Sequence, residues 1–301
     1  MAYLDKADIL ENTLLLDNDL LDILLRDHTT SKYIIWATDS YFEQYGVEFA
    51  SEKQIKPQLI TGKHGELIQP RIIRSLQEQR NRARNKGEVF TPLNIVSEMN
   101  KITNRSRINR SNWKTYVAEL KLEITCGEAP FIVSRYDPVV RGEIIKTKDR
   151  VGFLDHKLQI VSKYGSNKKE WLKWARIAFQ SSYGFEWQGD NILIARENLL
   201  YTLIDYYKEK YDNSPDLSIQ KEFAEIISWN VFQMDGLKYV TPMSCLHEAN
   251  AKTGQLALKD AEGKFKCEGC KYNLPTKHNG KYVKIMDWVE NKSVKFVDLI
   301  S

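Results

Sequence analysis

Cysteine is scarce in this chain. Four of 301 residues are cysteine, and three of them, Cys245, Cys267 and Cys270, share one stretch while Cys126 stands alone. In a reducing compartment that distribution argues against a disulfide framework and for metal binding. Proline is also sparse, and no two of the eight prolines are consecutive, which excludes any Pro-Pro loop within these residues. The longest apolar runs, at 14–16 and 20–25, are interrupted by Asp17, Asn18, Asp19 and Asp22, so no segment approaches the ~20 apolar residues that span a bilayer. Residues 1–8 lack the basic and apolar blocks of a signal peptide, and the expected location is cytoplasmic. There is no internal repeat and no low-complexity tract. What remains is an ordinary globular composition, long enough for one large domain or two small ones.

The formal net charge is only +4, but it is unevenly spread. Residues 1–50 carry three basic side chains against ten acidic, whereas residues 71–114 carry eleven basic against three acidic. The basic stretch suits a polyanion partner, with a solvated basic helix and loop as the plainer alternative.

Periodicity divides the chain into three parts. Residues 1–70 read as an N-terminal accessory unit, with Leu10, Leu14, Leu21 and Leu25 at helical spacing over 6–26 and a short strand at 33–38. Pro70 opens a helix reaching Lys86, which Gly87 can close. Residues 71–240 then alternate strands and helices as an α/β domain does: a helix over 93–101, a strand over 120–125, a short helix to 136, and a β-hairpin insertion at 137–168. A helix at 169–180, a strand at 182–187, helices at 191–211 and 219–227, and a strand at 228–234 follow. Residues 241–301 carry the cysteines, with short strands replacing helices.

Four short runs stand in order along the α/β part. They are Glu88-Val89-Phe90-Thr91-Pro92, the run 122–131 containing Cys126-Gly127-Glu128, then Tyr183-Gly184-Phe185-Glu186, and the run 230–236 ending Met234-Asp235-Gly236. The last three are apolar strands that stop at acidic or glycine-containing turns, where an open parallel sheet binds ligand. In order and residues they resemble the cofactor half of S-adenosylmethionine-dependent DNA adenine methyltransferases, especially those of restriction-modification systems, over roughly 87–237. The resemblance implies a Rossmann-like class I methyltransferase sheet, whole or incomplete. It further implies that Phe90, Thr91 and Pro92 cover the methionine end of the cofactor and that Glu123, Cys126, Gly127 and Glu128 face it. Glu186 would then accept the ribose hydroxyls and Asp235 the adenine amino group, with Trp187 stacking beside the adenine.

Two features depart from that pattern: Gly127 and Glu186 are far apart in sequence, and Ala129 stands where the family has glycine. The family's catalytic loop, an Asn, Asp or Ser followed by two prolines and an aromatic, is missing, so no catalytic residue is assigned. The chain is therefore expected to hold S-adenosylmethionine and DNA as one subunit of a restriction-modification or phage-defence system, with a partner chain completing catalysis. The alternative is a non-catalytic regulatory protein binding DNA or protein. Arg80, Arg82, Arg84, Arg105, Arg107 and Arg110 are the expected phosphate contacts.

Cys267-Glu268-Gly269-Cys270 has the two-residue spacing of a zinc knuckle. Cys245 can supply a third ligand and His278 or His247 a fourth, giving a small structural zinc-ribbon-like segment; buried free thiols are the alternative. A nuclease reading of Asp287 with Glu290 and Lys292 has little specificity, since such spacing is common by chance.

Overall fold

The computed structural model describes residues 18–103, 108–139, 143–245 and 267–300. The sequence expectations for residues 1–17, Arg105, Arg107 and His247 lie outside the described residues. In chain order the elements are α1 (Asn18–Leu25), β1 (Arg26–Asp27), β2 (Lys32–Tyr33), α2 (Phe42–Tyr45), α3 (Pro57–Ile60), α4 (Leu76–Lys86), α5 (Leu93–Thr103), α6 (Trp113–Ala118) and β3 (Lys121–Glu123). They continue with α7 (Phe153–Tyr164), α8 (Lys168–Gln180), β4 (Ser182–Glu186), α9 (Gly189–Tyr211), α10 (Leu217–Asn230), β5 (Val231–Gln233), a short helix Glu268–Tyr272, and the antiparallel hairpin β6 (Lys284–Asp287) and β7 (Lys292–Lys295). No helix among the described residues is long and apolar enough to cross a membrane.

The fold is mixed α/β around a three-stranded parallel sheet ordered β3-β4-β5. Helical pairs α7–α8 and α9–α10 connect the strands, as parallel neighbours require. Leu122 pairs with Tyr183, and Phe185 with Phe232, so these four side chains share one face. On that face Phe185 and Phe232 pack with Val283, Ile285 and Phe296 from the C-terminal hairpin region. The other face needs Gly184: a Cβ there would lie 2.8 Å from Ile132 Cδ1 and 3.3 Å from the Cys126 sulfur.

Local chemistry sets several helix limits. Ser75 accepts the Glu78 N–H to start α4, and Gly87 at φ +67° ends it. Asn167 caps α8 by accepting the Glu170 N–H at 3.0 Å, and α8 buries Trp171, Ala175, Ala178 and Phe179 on one side.

Among the described residues the expected hairpin at 137–168 is not formed. Residues 143–151 are irregular chain with one 3₁₀ turn at Thr147–Asp149, and the second half is helix α7. Phe153, Leu154, Leu158 and Val161 repeat at helical spacing and are buried in the main core, which outweighs strand propensity. The helix expected up to 136 is a chain of turns instead, with Thr125, Gly127 and Ala129 at φ +48°, +53° and +65°. The strand expected at 33–38 is reduced to the end of β2 and an isolated bridge from Ile35 to Gln54.

The N-terminal residues share the main core: Leu20, Leu21, Leu24 and Leu25 belong to the cluster that holds Leu199, Phe223 and Ile227. Arg196 staples the parts together. Its buried guanidinium donates to the carbonyls of Leu24, Arg26, Ser228 and Val231, and burial pushes its pKa down to about 10. A second clasp lies where β4 enters α9. The Gly189 N–H donates to the Trp36 carbonyl at 3.0 Å, and a Cβ on Gly189 would sit 2.0 Å from the Ile35 carbonyl oxygen. Gly189→Ala is therefore expected to lower unfolding free energy by about 1–3 kcal/mol, as overpacking does, in urea titration of the full chain. An unchanged midpoint would show that the 35–37 strap yields freely.

Candidate functional site

The C-terminal ends of β3 and β4 open into a cleft of about 320 Å³. Of the residues expected at a cofactor, Phe90, Thr91, Glu123, Cys126, Gly127, Glu186 and Trp187 line it. The wall is completed by residues without a site role in the sequence reading, including Lys86, Glu88, Gln188 and Asn191.

Gly127 is required by close approach as well as by its positive φ. A Cβ would lie 3.0 Å from the Phe90 ring, and the Arg71 guanidinium covers that ring at 5.4 Å. Ala129 takes a left-handed conformation that glycine would adopt without strain, at a cost of about 1–2 kcal/mol. Trp187 is anchored by its indole N–H on the Ala37 carbonyl at 2.8 Å, so the N-terminal strap fixes one side of the cleft.

Two carboxylates dominate its electrostatics. Glu186 accepts the Gly127 N–H at 3.0 Å and the Gln188 N–H at 3.2 Å. Glu123 accepts the N–H groups of Phe131 at 3.3 Å and Ile132 at 3.0 Å. Both are buried, and burial pushes both pKa values up, that of Glu123 well above the carboxylate range with the Glu186 charge adding to it. Backbone N–H groups lower both, and among the described residues neither carboxylate forms an ion pair with a lysine or arginine, although Lys86 stands on the cleft wall.

The remaining expected contacts lie elsewhere. Glu128 is behind the wall, accepting the Arg71 N–H and, at 2.8 Å, the Tyr136 hydroxyl. Pro92 begins the turn into α5. Asp235 does not converge with Glu186 on the cleft. Its carboxylate closes its own turn by accepting the N–H groups of Leu237 and Lys238 at 2.9 and 3.1 Å, and the Lys238 ammonium lies 3.3 Å away. An acidic residue before Gly-Leu-Lys is well suited to that turn, a local signal that the sequence carried.

Arg82 is a correction among the expected phosphate contacts. It is only 3% exposed, and its guanidinium reaches Glu88 and Asp190 at 2.8 Å each, leaving no face for a polyanion. Arg80, Arg84 and Arg110 are exposed. Arg80 and Arg84, four residues apart on α4, share an outward side.

The second site is a Cys3His cluster. One ligand atom each from Cys245, Cys267, Cys270 and His278 lies within 4.8 Å of all the others. Cys245 and Cys270 sulfurs are 3.5 Å apart, and His278 Nδ1 is 3.5 Å from the Cys267 sulfur and 3.6 Å from that of Cys270. A tetrahedral zinc with bonds of roughly 2.0–2.3 Å has ligand edges of about 3.5–3.8 Å, so the donor set could bind a metal ion and is compatible with zinc. Gly269 makes the knuckle possible, because a Cβ would meet the His278 nitrogen at 2.6 Å and its ring at 2.7 Å.

Comparison with protein-family models, curated proteins and solved structures gives no match to this chain.

Proposed function

We propose that the cleft binds S-adenosylmethionine and that the chain is a methyltransferase-like, DNA-binding subunit of a restriction-modification or phage-defence system. The observation that carries this reading is the pair of buried carboxylates, Glu123 and Glu186, flanking the Gly127 turn and held by backbone N–H groups, with no ion pair to a lysine or arginine among the described residues. Such a site favours a ligand that brings positive charge and hydroxyl donors, and a sulfonium nucleoside has both. The cleft volume falls within the ~300–1,000 Å³ usual for small-molecule sites. Phe90 and Trp187 offer apolar surface to the nucleoside, and the absence of a side chain at Gly127 lets the ligand approach the backbone. The cofactor supplies an electrophilic methyl group when bound. The loop that would present adenine to it is not among these residues and comes from a partner chain. Exposed Arg80, Arg84 and Arg110 provide phosphate contacts in this reading.

Calorimetry with S-adenosylmethionine tests the proposal. The full chain is expected to bind one equivalent, and Glu186→Ala to weaken binding by about tenfold or more, the scale of one lost charged hydrogen-bond partner. Because burial raises the carboxyl pKa values, a bound cation draws protons off. Affinity should therefore rise with pH, with proton release detectable in buffers of different ionisation heat. Equal affinity in Glu186→Ala, with the fold intact by circular dichroism, sinks the idea.

A further inference from the structure

We infer that the Cys3His clasp is a peroxide-sensitive switch, in which Cys270 and Cys245 leave the metal and join as a disulfide while the ion departs. The switch needs a metal on the cluster and nothing from the cleft.

A cysteine on a metal is held as the thiolate, the nucleophilic form, so access decides which sulfur meets an oxidant first. Cys245 and Cys267 are fully buried, whereas Cys270, on the short helix Glu268–Tyr272, is partly exposed. The two buried sulfurs differ in their surroundings. That of Cys267 accepts the backbone N–H groups of Asn279 and Cys270, which hold it in place and draw on its charge. That of Cys245 arrives from the other segment of the clasp and stands 3.5 Å from the Cys270 sulfur, with the Asn279 side-chain oxygen at 3.3 Å. The exposed thiolate therefore has its resolving partner across the clasp.

The steps balance as follows. The Cys270 thiolate attacks one oxygen of hydrogen peroxide, the O–O bond breaks and hydroxide leaves, giving a sulfenic acid. The Cys245 thiolate then attacks the Cys270 sulfur, the S–O bond breaks and a second hydroxide leaves as the S–S bond forms. Each sulfur gives up one electron and the peroxide takes both. Cys267 and His278 remain as ligands, two short of a closed structural zinc site, so the ion leaves. A covalent bond now ties residue 245 to residue 270, across the same two segments that the metal had joined. Chelation opens the clasp; oxidation expels the ion and leaves the clasp shut, with Ile285 and Phe296 still covering the sheet. A dithiol reductant takes the two electrons back, so in a reducing compartment the state is transient.

The test treats the zinc-loaded full chain with hydrogen peroxide, follows released zinc with a chromogenic dye, and maps disulfides by mass spectrometry of non-reducing digests. One zinc is expected to leave for each Cys245–Cys270 bond formed, and dithiothreitol with added zinc should restore the starting state. The buried Cys126 should stay a free thiol. Cys270→Asp keeps an oxygen ligand for the metal but no nucleophile, and should release zinc about tenfold more slowly or less. If that variant fails to load zinc, the wild-type disulfide map decides by itself. Oxidised wild type should keep 241–245 and 267–282 protected in limited proteolysis without reductant, unlike the chelated chain. A Cys267–Cys270 bond in place of Cys245–Cys270, zinc retained under a large peroxide excess, or unchanged release in Cys270→Asp overturns the switch. So does a chain that takes up no zinc.

Discussion

Stripping metal with a strong chelator is expected to open the clasp that joins residues 241–245 to residues 267–282. The four ligands come from three separate positions in the chain, and among the described residues the buried aliphatics beside those segments, Val240 and Val283, are too few to hold them together without the metal. Structural zinc in small peptides contributes about 10–16 kcal/mol of folding free energy. Here that is an upper bound on the local effect, because Phe296 and Ile285 also anchor the region on the sheet. Metal analysis should find one zinc per chain. Chelation or Cys267→Ser should expose 241–245 and 267–282 to limited proteolysis, while the helical core around Trp171 and Phe223 keeps its protection. A chain without stoichiometric metal, equally resistant before and after chelation, would establish that the thiols are only buried.

Arg82→Met is expected to destabilise the whole fold by about 3–5 kcal/mol, the cost of leaving buried carboxylates short of a partner. Arg82 bonds both oxygens of Glu88 at 2.8 Å and also reaches Asp190, which accepts the Tyr41 hydroxyl at 2.8 Å. Arg74 reaches Glu88 only at 3.4 Å and Asp190 at 3.8 Å, so it is a weak substitute. Burial by itself would raise both carboxylates. The charges and hydrogen bonds of Arg82 and Arg74 reverse that and hold both below their ordinary values of 4.5 and 3.8.

The linkage sign follows from that depression. A carboxylate with a lowered folded pKa adds stability above its unfolded pKa and loses it as pH falls through the folded value. Wild type should therefore lose this contribution only below about pH 4.5, and Arg82→Met should show a smaller acid-side loss because its carboxylates are no longer depressed. Urea titrations at pH 7 and pH 4 measure both. A penalty below about 1 kcal/mol at pH 7 would mean that water relaxes the cluster. Glu88 and Asn191 join this cluster to the cleft wall through a 2.8 Å hydrogen bond, so the variant should also disturb ligand affinity.

Much of the helical framework was legible in the sequence because its signals are local. Gly87 ends α4 as expected, although that helix starts after Ser75 and not at Pro70, and the structure places α8, α9 and α10 within about two to three residues of the expected limits, since caps and 3.6-residue periodicity act over a single turn. The region 137–168 was misread for the same reason in reverse. Its β-branched composition is local, whereas the core that turns Phe153, Leu158 and Val161 into a helix face is not.

The sites divide along the same line. The cysteine spacing Cys267-Cys270 pointed to a metal centre, because two ligands on one turn are a sequence-local fact. That His278 stands beside them is decided by the fold, which brings it onto the knuckle past Gly269. The glycine turn at Gly127 was likewise readable, yet the sequence alone could not separate Glu186, which reaches the cleft from 59 residues away, from Asp235, which does not. Nor could it tell the buried Arg82 from the exposed Arg80 and Arg84 on the same helix, because burial depends on what packs against each side. By itself the sequence determined helix ends, turn positions and the metal-binding residue types, which short-range hydrogen bonding and covalent spacing dictate. Only the tertiary structure decided which charges face one another and which side chains reach the cleft, because those depend on contacts between residues tens to hundreds of positions apart.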